Sequence, residues 1–189
     1  MLFTKLFAVT CLSLCPVSSF SLPQTNTPTC TAATRQTILE GIPNGFNAVA
    51  PGASAAFIAS LPLIPSCSLT LFINGLPGLQ VAPDASTTRN SALLVRQAFL
   101  RVTPSVPASV DSGNGTTRSE LEIDTGLLHT IALPVTFHAG LVFNYLDNCT
   151  IESVVGILTV PTSVLGIPIL MPDVVAAVQE LASQAAAMS

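Results

Sequence analysis

Charged and aromatic side chains are scarce in this chain of 189 residues, and lysine is nearly absent. Only 8% of the residues are charged, Lys5 is the sole lysine, and tryptophan does not occur. Nucleic acids and anionic lipids are bound mainly through clustered lysine and arginine, so we expect neither as a partner. With one tyrosine and no tryptophan, few side chains can stack on a sugar ring, which argues against carbohydrate hydrolysis.

The first residues have the three parts of a secretory signal peptide. Lys5 supplies a positive n-region, residues 6–14 form an apolar run too short to span a bilayer, and small residues follow at 17–19. We expect a signal peptide over residues 1–19, cleaved after Ser19 or Ser21, and a secreted, extracellular protein. We expect no transmembrane segment, because no other apolar run is long enough.

The cysteine count predicts a disulfide. Cys11 and Cys15 fall within the expected signal peptide, which leaves Cys30, Cys67 and Cys149. An odd number in an oxidising compartment implies one disulfide with a spare thiol, or a disulfide-linked dimer through the unpaired cysteine. All three pairings agree with the sequence, and we favour Cys67 with Cys149 because both begin strand-like runs.

Two N-glycosylation sequons are present, one at Asn114 and one at Asn148. Asn114 lies in a polar loop, so for a eukaryotic source we expect a glycoprotein with a glycan there. Asn148 is a weaker candidate because Cys149, beside it, is a disulfide candidate.

The distribution of turns and apolar runs predicts one mainly β domain. Residues 20–37 are rich in Thr, Pro, Asn and Gln, which indicates an extended N-terminal lead. Residues 38–172 alternate short apolar runs with Gly and Pro, as in an antiparallel two-sheet sandwich or barrel-like domain. Residues 173–187 predict a C-terminal α-helix, capped by Asp173 and packed on the β domain.

The clearest strand signal lies in the first half of the β region. Residues 67–73 alternate apolar and polar side chains before an Asn-Gly turn, which predicts a half-buried strand. Residues 92–102 fit a helix or a strand, and we predict a strand. Residues 41–45, with their Gly and Pro, predict a turn.

The second half of the β region carries a denser signal. Residues 120–124 alternate cleanly and predict a strand with outward carboxylates. Residues 129–146 predict two strands, broken at Pro134 and at Gly140. Residues 150–160 predict a further strand that ends before a proline.

A serine hydrolase is one alternative function. The segment around Ser54 resembles a degraded nucleophile elbow, and His129 or His138 follows it as a candidate base. The candidate acids in the same order are Asp84, Asp111 and Asp124. However, Ala56 replaces the last glycine of the motif, and a Pro-Gly surface turn explains the segment as simply.

A row of carboxylates is the other candidate site. Glu120, Glu122 and Asp124 share one face of a predicted strand, where they could hold Ca²⁺ or act as paired carboxylates. Such rows more often only face solvent. His129 and His138 lack the spacing of a histidine metal motif. We therefore expect no metal and no cofactor.

Export, low charge and the lack of a convincing catalytic set favour a non-catalytic cell-surface, wall-associated or interaction protein. Its expected partner is an unknown extracellular protein, a glycan or an apolar ligand. One alternative is a secreted serine esterase that uses Ser54 with His129 or His138. The other is a carrier of an apolar small molecule, which would contain a deep cavity lined by Phe and Leu.

Overall fold

The computed structural model describes residues 30–127 and 131–189, which form four helices and nine strands. The helices are α1 (Ala32–Asn47), α2 (Ala53–Ser60), α3 (Ala85–Arg96) and α4 (Met171–Ala187). The strands are β1 (Leu63–Ile73), β2 (Leu79–Ala82), β3 (Phe99–Pro104), β4 (Val110–Asp111), β5 (Thr116–Leu127), β6 (Ile131–Tyr145), β7 (Ile151–Thr159), β8 (Ser163–Val164) and β9 (Ile167–Pro168). The signal peptide predicted over residues 1–19, with Cys11 and Cys15, residues 20–29 of the predicted lead, and His129 lie outside the described residues.

The main strands form one mixed sheet in the order β2-β1-β7-β6-β5-β3, with the short β4 paired to β5. β1 runs parallel to β7, and the other neighbours in this sheet are antiparallel. β8 and β9 form a separate two-stranded hairpin. The fold is therefore α+β, with most of its regular structure in strands and a helix at the C-terminal end.

The predicted two-sheet sandwich or barrel is wrong, because helices take the place of a second sheet. Leu39 and Ile42 of α1 pack in one cluster with Phe143 of β6 and Val154 of β7. These strand residues share the inner face of the sheet, since Phe143 and Val154 are register partners. Apolar side chains need a cover on one face of a sheet, and here helices supply it.

Helix α1 replaces the turn predicted at residues 41–45. It begins at a capping threonine, where Thr31 Oγ1 accepts a hydrogen bond of 3.2 Å from the backbone N–H of Thr34. Pro43 lies inside the helix, and Gly45 sits where the ring of Phe57 leaves no room for a Cβ atom. The turn prediction is wrong because burial against the sheet outweighs the weak helix propensity of Pro and Gly.

Residues 92–102 divide between two elements. Asp84 caps α3 by accepting a hydrogen bond of 2.9 Å from the backbone N–H of Thr87, and the helix continues to Arg96. β3 then begins at Phe99. The strand prediction is therefore confirmed only for the last part of this segment.

β6 is one strand of 15 residues, where the sequence predicted two. It pairs with β5 along its length but with β7 only from His138 onward. Pro134 thus lies where β6 has β5 as its single neighbour, and a residue without an N–H is tolerated on such an edge. The strands predicted at residues 67–73, 120–124 and 150–160 are present.

The disulfide joins Cys30 to Cys149 and so ties the start of α1 to the turn between β6 and β7. Cys67 is free and fully buried on the inner face of β1. The favoured Cys67–Cys149 pairing is therefore wrong, because Cys67 faces the core while Cys149 lies in a turn. The possible disulfide-linked dimer would require the spare thiol of Cys67, which is fully buried.

A buried ion pair lies beside the disulfide. Nε and Nη2 of Arg35 donate hydrogen bonds of 2.7 and 2.8 Å to the two carboxylate oxygens of Asp111, and both side chains are at least nine-tenths buried. Thr117 donates to the same carboxylate. The bonds from Arg35 hold the pKa of the Asp111 carboxyl well below its usual range, despite burial. This pair connects α1 to β4 and β5.

The C-terminal helix α4 packs against α3 and β2. Nδ2 of Asn90 on α3 donates a hydrogen bond of 3.2 Å to the carbonyl oxygen of Ala185, the fully buried residue of α4. The helix begins after Leu170 without a side-chain cap, and Asp173 lies in its first turn, where a carboxylate interacts favourably with the helix dipole. No helix among the described residues is long and apolar enough to cross a bilayer.

Candidate functional site

A cleft of about 200 Å³ lies between the β1–β2 hairpin and α4. Its lining consists of Leu71, Ile73, Leu76, Pro77, Gly78, Leu79 and Val175. Leu71 and Ile73 point to the inner face of β1 because side chains alternate along a strand. None of these described lining residues has a charged or hydrogen-bonding side chain, so the cleft offers apolar contact.

Two glycines leave room for large side chains of β1. Leu71 rests on Gly156 of β7, since a Cβ atom at that glycine would lie 2.5 Å from Leu71 Cδ2. Gly78 faces the ring of Phe72 in the same way, with a Cβ atom there placed 2.9 Å from Cζ. A larger residue at Gly156 would displace Leu71, which lines the cleft, whereas Phe72 lies on the opposite, exposed face of β1.

Asn74 holds the end of the β1–β2 hairpin in place. Its side-chain amide donates a hydrogen bond of 3.0 Å to the carbonyl oxygen of Val160 and accepts one of 2.8 Å from the Val160 N–H. The same amide contacts the sulfur of Met171, the first residue of α4. Asn74 adopts a left-handed backbone (φ 47°), which asparagine tolerates better than most residues. The hairpin, β7 and α4 are thereby fixed around the cleft.

A second, more open cleft of about 500 Å³ lies at the edge of the sheet, with Asn47, Leu100 and Arg101 in its lining. Asn47 donates a hydrogen bond of 2.7 Å to the carbonyl oxygen of Val102 and accepts one of 2.8 Å from its N–H. Arg101 forms an ion pair of 2.9 Å with Asp124. The polar groups of Asn47 and Arg101 are therefore already engaged by the protein itself.

Ser54 is not arranged as a nucleophile. It is buried in α2, its hydroxyl donates to the carbonyl oxygen of Ala48 at 3.2 Å, and it accepts a hydrogen bond from Arg96. His138 lies on β6, an exposed residue whose register partners are Glu122 and Thr159. Ser54 thus has an arginine partner, and the predicted pairing with His129 lies outside the described residues.

The carboxylate row exists but does not form a metal site. Glu120, Glu122 and Asp124 lie at alternate positions of β5, as the sequence predicted. Glu120 pairs with Arg118, and Asp124 with Arg101. No group of three His, Cys, Asp or Glu among the described residues could hold a metal ion.

The remaining predicted site residues lie apart from both clefts. Burial raises the pKa of the Cys67 thiol to about 11, against a smaller opposing effect of Arg89, so this thiol stays neutral. Asn114 and Asn148 are exposed in turns at the end of the sheet where β5 and β7 begin. The side-chain oxygen Oδ1 of Asn148 accepts hydrogen bonds from the N–H and hydroxyl of Thr150.

The sequence pointed to part of the cleft. The alternation over residues 67–73 places Leu71 and Ile73 on the inner face, and the Asn-Gly turn predicts the hairpin. Val175 carries no local signal for this role, because its contact with the hairpin depends on where α4 docks.

The chain matches no protein-family model and no curated protein. Three similar solved structures are an NTF2-like protein of unknown function from Exiguobacterium, a candidate isomerase of the SnoaL-like family from Agrobacterium tumefaciens, and a phenazine biosynthesis-related protein from Pseudomonas aeruginosa. Their TM-scores are 0.45, 0.41 and 0.47, with sequence identities of 11%, 13% and 9%. The alignments cover 64%, 66% and 68% of this chain and 97%, 97% and 80% of those chains.

The interpretation as a non-catalytic cell-surface, wall-associated or interaction protein is corrected by these findings. That interpretation depended on export, low charge and the lack of a convincing catalytic set, whereas the solved structures that match this chain are described as NTF2-like and SnoaL-like proteins. The apolar cleft beside α4 has leucines but no phenylalanine in its lining, whereas a carrier was expected to have a deep cavity lined by both. At these identities and TM-scores no activity and no residue role is transferred to this chain.

Proposed function

We propose that the chain binds a small apolar molecule in the cleft between the β1–β2 hairpin and α4. The observation that carries this proposal is the lining itself, seven residues without a polar side chain around about 200 Å³. A dry apolar cavity of about 150 Å³ accommodates one benzene ring, so the cleft has room for a single ring or a short aliphatic chain. Burial of apolar surface drives such binding.

The lining also sets the expected selectivity. A carboxylate placed among Leu71, Leu79 and Val175 would lose its hydration and find no charged partner in the described lining, which is costly. Toluene should therefore bind, and benzoate, which has the same ring with a charge, should bind at least about tenfold more weakly.

A titration followed by amide chemical shifts tests the proposal. Toluene added to the protein should move the amide signals of residues 71–79 and of Val175, with saturation. Val175→Phe should abolish these shifts by filling the cleft, whereas Ala176→Phe, an exposed neighbour on the same helix, should leave them unchanged. Equal shifts in both variants, or no saturation, would contradict the proposal.

We also propose that the protein is exported and that residues 1–19 are removed as a signal peptide. The Cys30–Cys149 disulfide supports this, because disulfides persist mainly in oxidising compartments. Expression in a secreting eukaryotic host should yield a mature chain that starts near Phe20 or Leu22 and carries a glycan at Asn114. Recovery of the intact N-terminus inside the cell would contradict it.

A further inference from the structure

The hairpin β8–β9, between β7 and α4, displays apolar side chains to solvent. Leu165 is 83% exposed, Ile167 69% and Leu170, just after the hairpin, 59%. No other leucine or isoleucine among the described residues is as exposed as these three. Three exposed apolar side chains within residues 165–170 indicate a contact site.

The turn of this hairpin keeps a leucine where the backbone disfavours it. Leu165 and Gly166 both have positive φ, 50° and 81°, which is the geometry of a two-residue turn of type I′. Asn and Gly suit the first position of such a turn, whereas a branched apolar side chain is strained in the left-handed region. Leu165 thus holds an exposed apolar group at the hairpin tip at a cost in backbone energy, a combination found at binding sites.

The segment that carries the tip has no charged residue. Residues 153–172 contain no Asp, Glu, Lys or Arg. The hairpin leaves the sheet at the end of β7, while the turns with Asn114 and Asn148 lie at the opposite end. A contact made through the tip would therefore involve no charged side chain of this segment. The turns with Asn114 and Asn148 would lie at the far end of the sheet from that contact.

We propose that this hairpin inserts into the surface of an electrically neutral lipid bilayer. The three exposed side chains offer an apolar area of only a few hundred Å², less than the about 800 Å² per partner that a stable protein interface needs. A bilayer has no such minimum, because each buried CH₂ group contributes and the lipid adapts to a protruding tip. The absence of lysine and arginine from the segment means that anionic lipid adds no attraction.

Sedimentation with phosphatidylcholine vesicles tests this proposal. The protein should partition onto the vesicles equally well at low and high salt, and added phosphatidylserine should not strengthen binding. Leu165→Asn should weaken partitioning at least about tenfold, the loss expected for one leucine side chain. The matched control is Val106→Asn, which changes an even more exposed apolar residue away from the hairpin and should not alter partitioning.

Leu165→Asn also separates this role from a structural one. Because asparagine suits the left-handed position, this variant should melt at the same or a higher temperature than the unchanged protein while it loses vesicle binding. Absence of vesicle binding, equal binding by Leu165→Asn, or loss of binding at high salt would overturn the proposal. A dimer that Leu165→Asn dissociates would overturn it as well, since a second copy would then cover the tip.

Discussion

Removal of the disulfide should destabilise the domain by up to about 5 kcal/mol. Cys30 and Cys149 are 119 residues apart, so the bond closes a loop over much of the chain. The loop-closure relation gives a loss of unfolded-state entropy of about 16 cal/mol/K for a loop of this length, or about 5 kcal/mol at 25 °C. Domains of this size are stable by only about 5–15 kcal/mol, so the change is a large fraction of the total.

The measurement is urea denaturation of a variant with both Cys30→Ser and Cys149→Ser, compared with the unchanged protein. Replacement of both cysteines prevents Cys67 from pairing with a remaining one. The hydrogen bond of 3.2 Å from the Cys30 N–H to the carbonyl oxygen of Asp147 survives the change and keeps the start of α1 near the turn. The native fold should therefore persist with a lower midpoint.

Cys67→Ala is the control for loss of a cysteine without loss of a cross-link. It should destabilise through a small cavity alone, by about 1–2 kcal/mol. If the double variant lost less than about 1 kcal/mol, or no more than Cys67→Ala, the reasoning from loop length would be refuted.

Three further changes test the ion pair, the sheet edge and the buried thiol. Asp111→Asn should cost about 3–5 kcal/mol in urea unfolding at pH 7, because Arg35 stays buried without its partner. The depressed pKa of Asp111 contributes its full stabilisation above about pH 4, and this contribution decreases as the pH falls further. In Asp111→Asn this decrease should be absent. The same dependence of unfolding free energy on acid pH in both proteins would contradict the prediction. Asn47→Ala should lower stability by about 1–3 kcal/mol in thermal unfolding, because both hydrogen bonds to Val102 on the edge strand β3 disappear. Light scattering from aggregates should increase, since the edge strand is less well held. Unchanged stability would contradict this prediction. Cys67, with its pKa raised to about 11, should react with a thiol reagent at pH 8 only in denaturant, and fast reaction of the folded protein would contradict its burial.

Local patterns predicted the strands well where one face is buried. Residues 67–73 and 120–124 alternate apolar and polar side chains, and both lie in strands of the sheet. The C-terminal helix was also predicted, because its apolar stripe recurs at helical spacing. In these segments the local preference and the packed structure agree.

The helices of the first half were missed for a physical reason. Pro43 and Gly45 signal a turn locally, but α1 buries one side on the sheet, and that burial decides the conformation. Local patterns also could not predict the strand order, since the parallel pairing of β1 with β7 joins segments far apart in sequence. A pattern of strands does not show whether a second sheet or a layer of helices covers them.

The candidate cleft likewise combines residues that the local sequence predicts with residues that it does not. Leu71 and Ile73 follow from alternation along β1, but Val175 belongs to the site only because α4 docks beside the hairpin. The cysteine pairing likewise depends on the fold, since Cys30 meets Cys149 only when α1 lies beside the turn after β6. Contacts between distant segments carried no signal in the local sequence.

The most direct test of the central claim is a crystal structure of the protein soaked with bromobenzene, read from the anomalous scattering of bromine. We expect a bromine peak between the β1–β2 hairpin and α4, within contact distance of Leu71, Leu79 and Val175. A peak only in the open cleft beside Arg101, or no peak at a saturating concentration, would contradict the proposal that this apolar cleft is the ligand site.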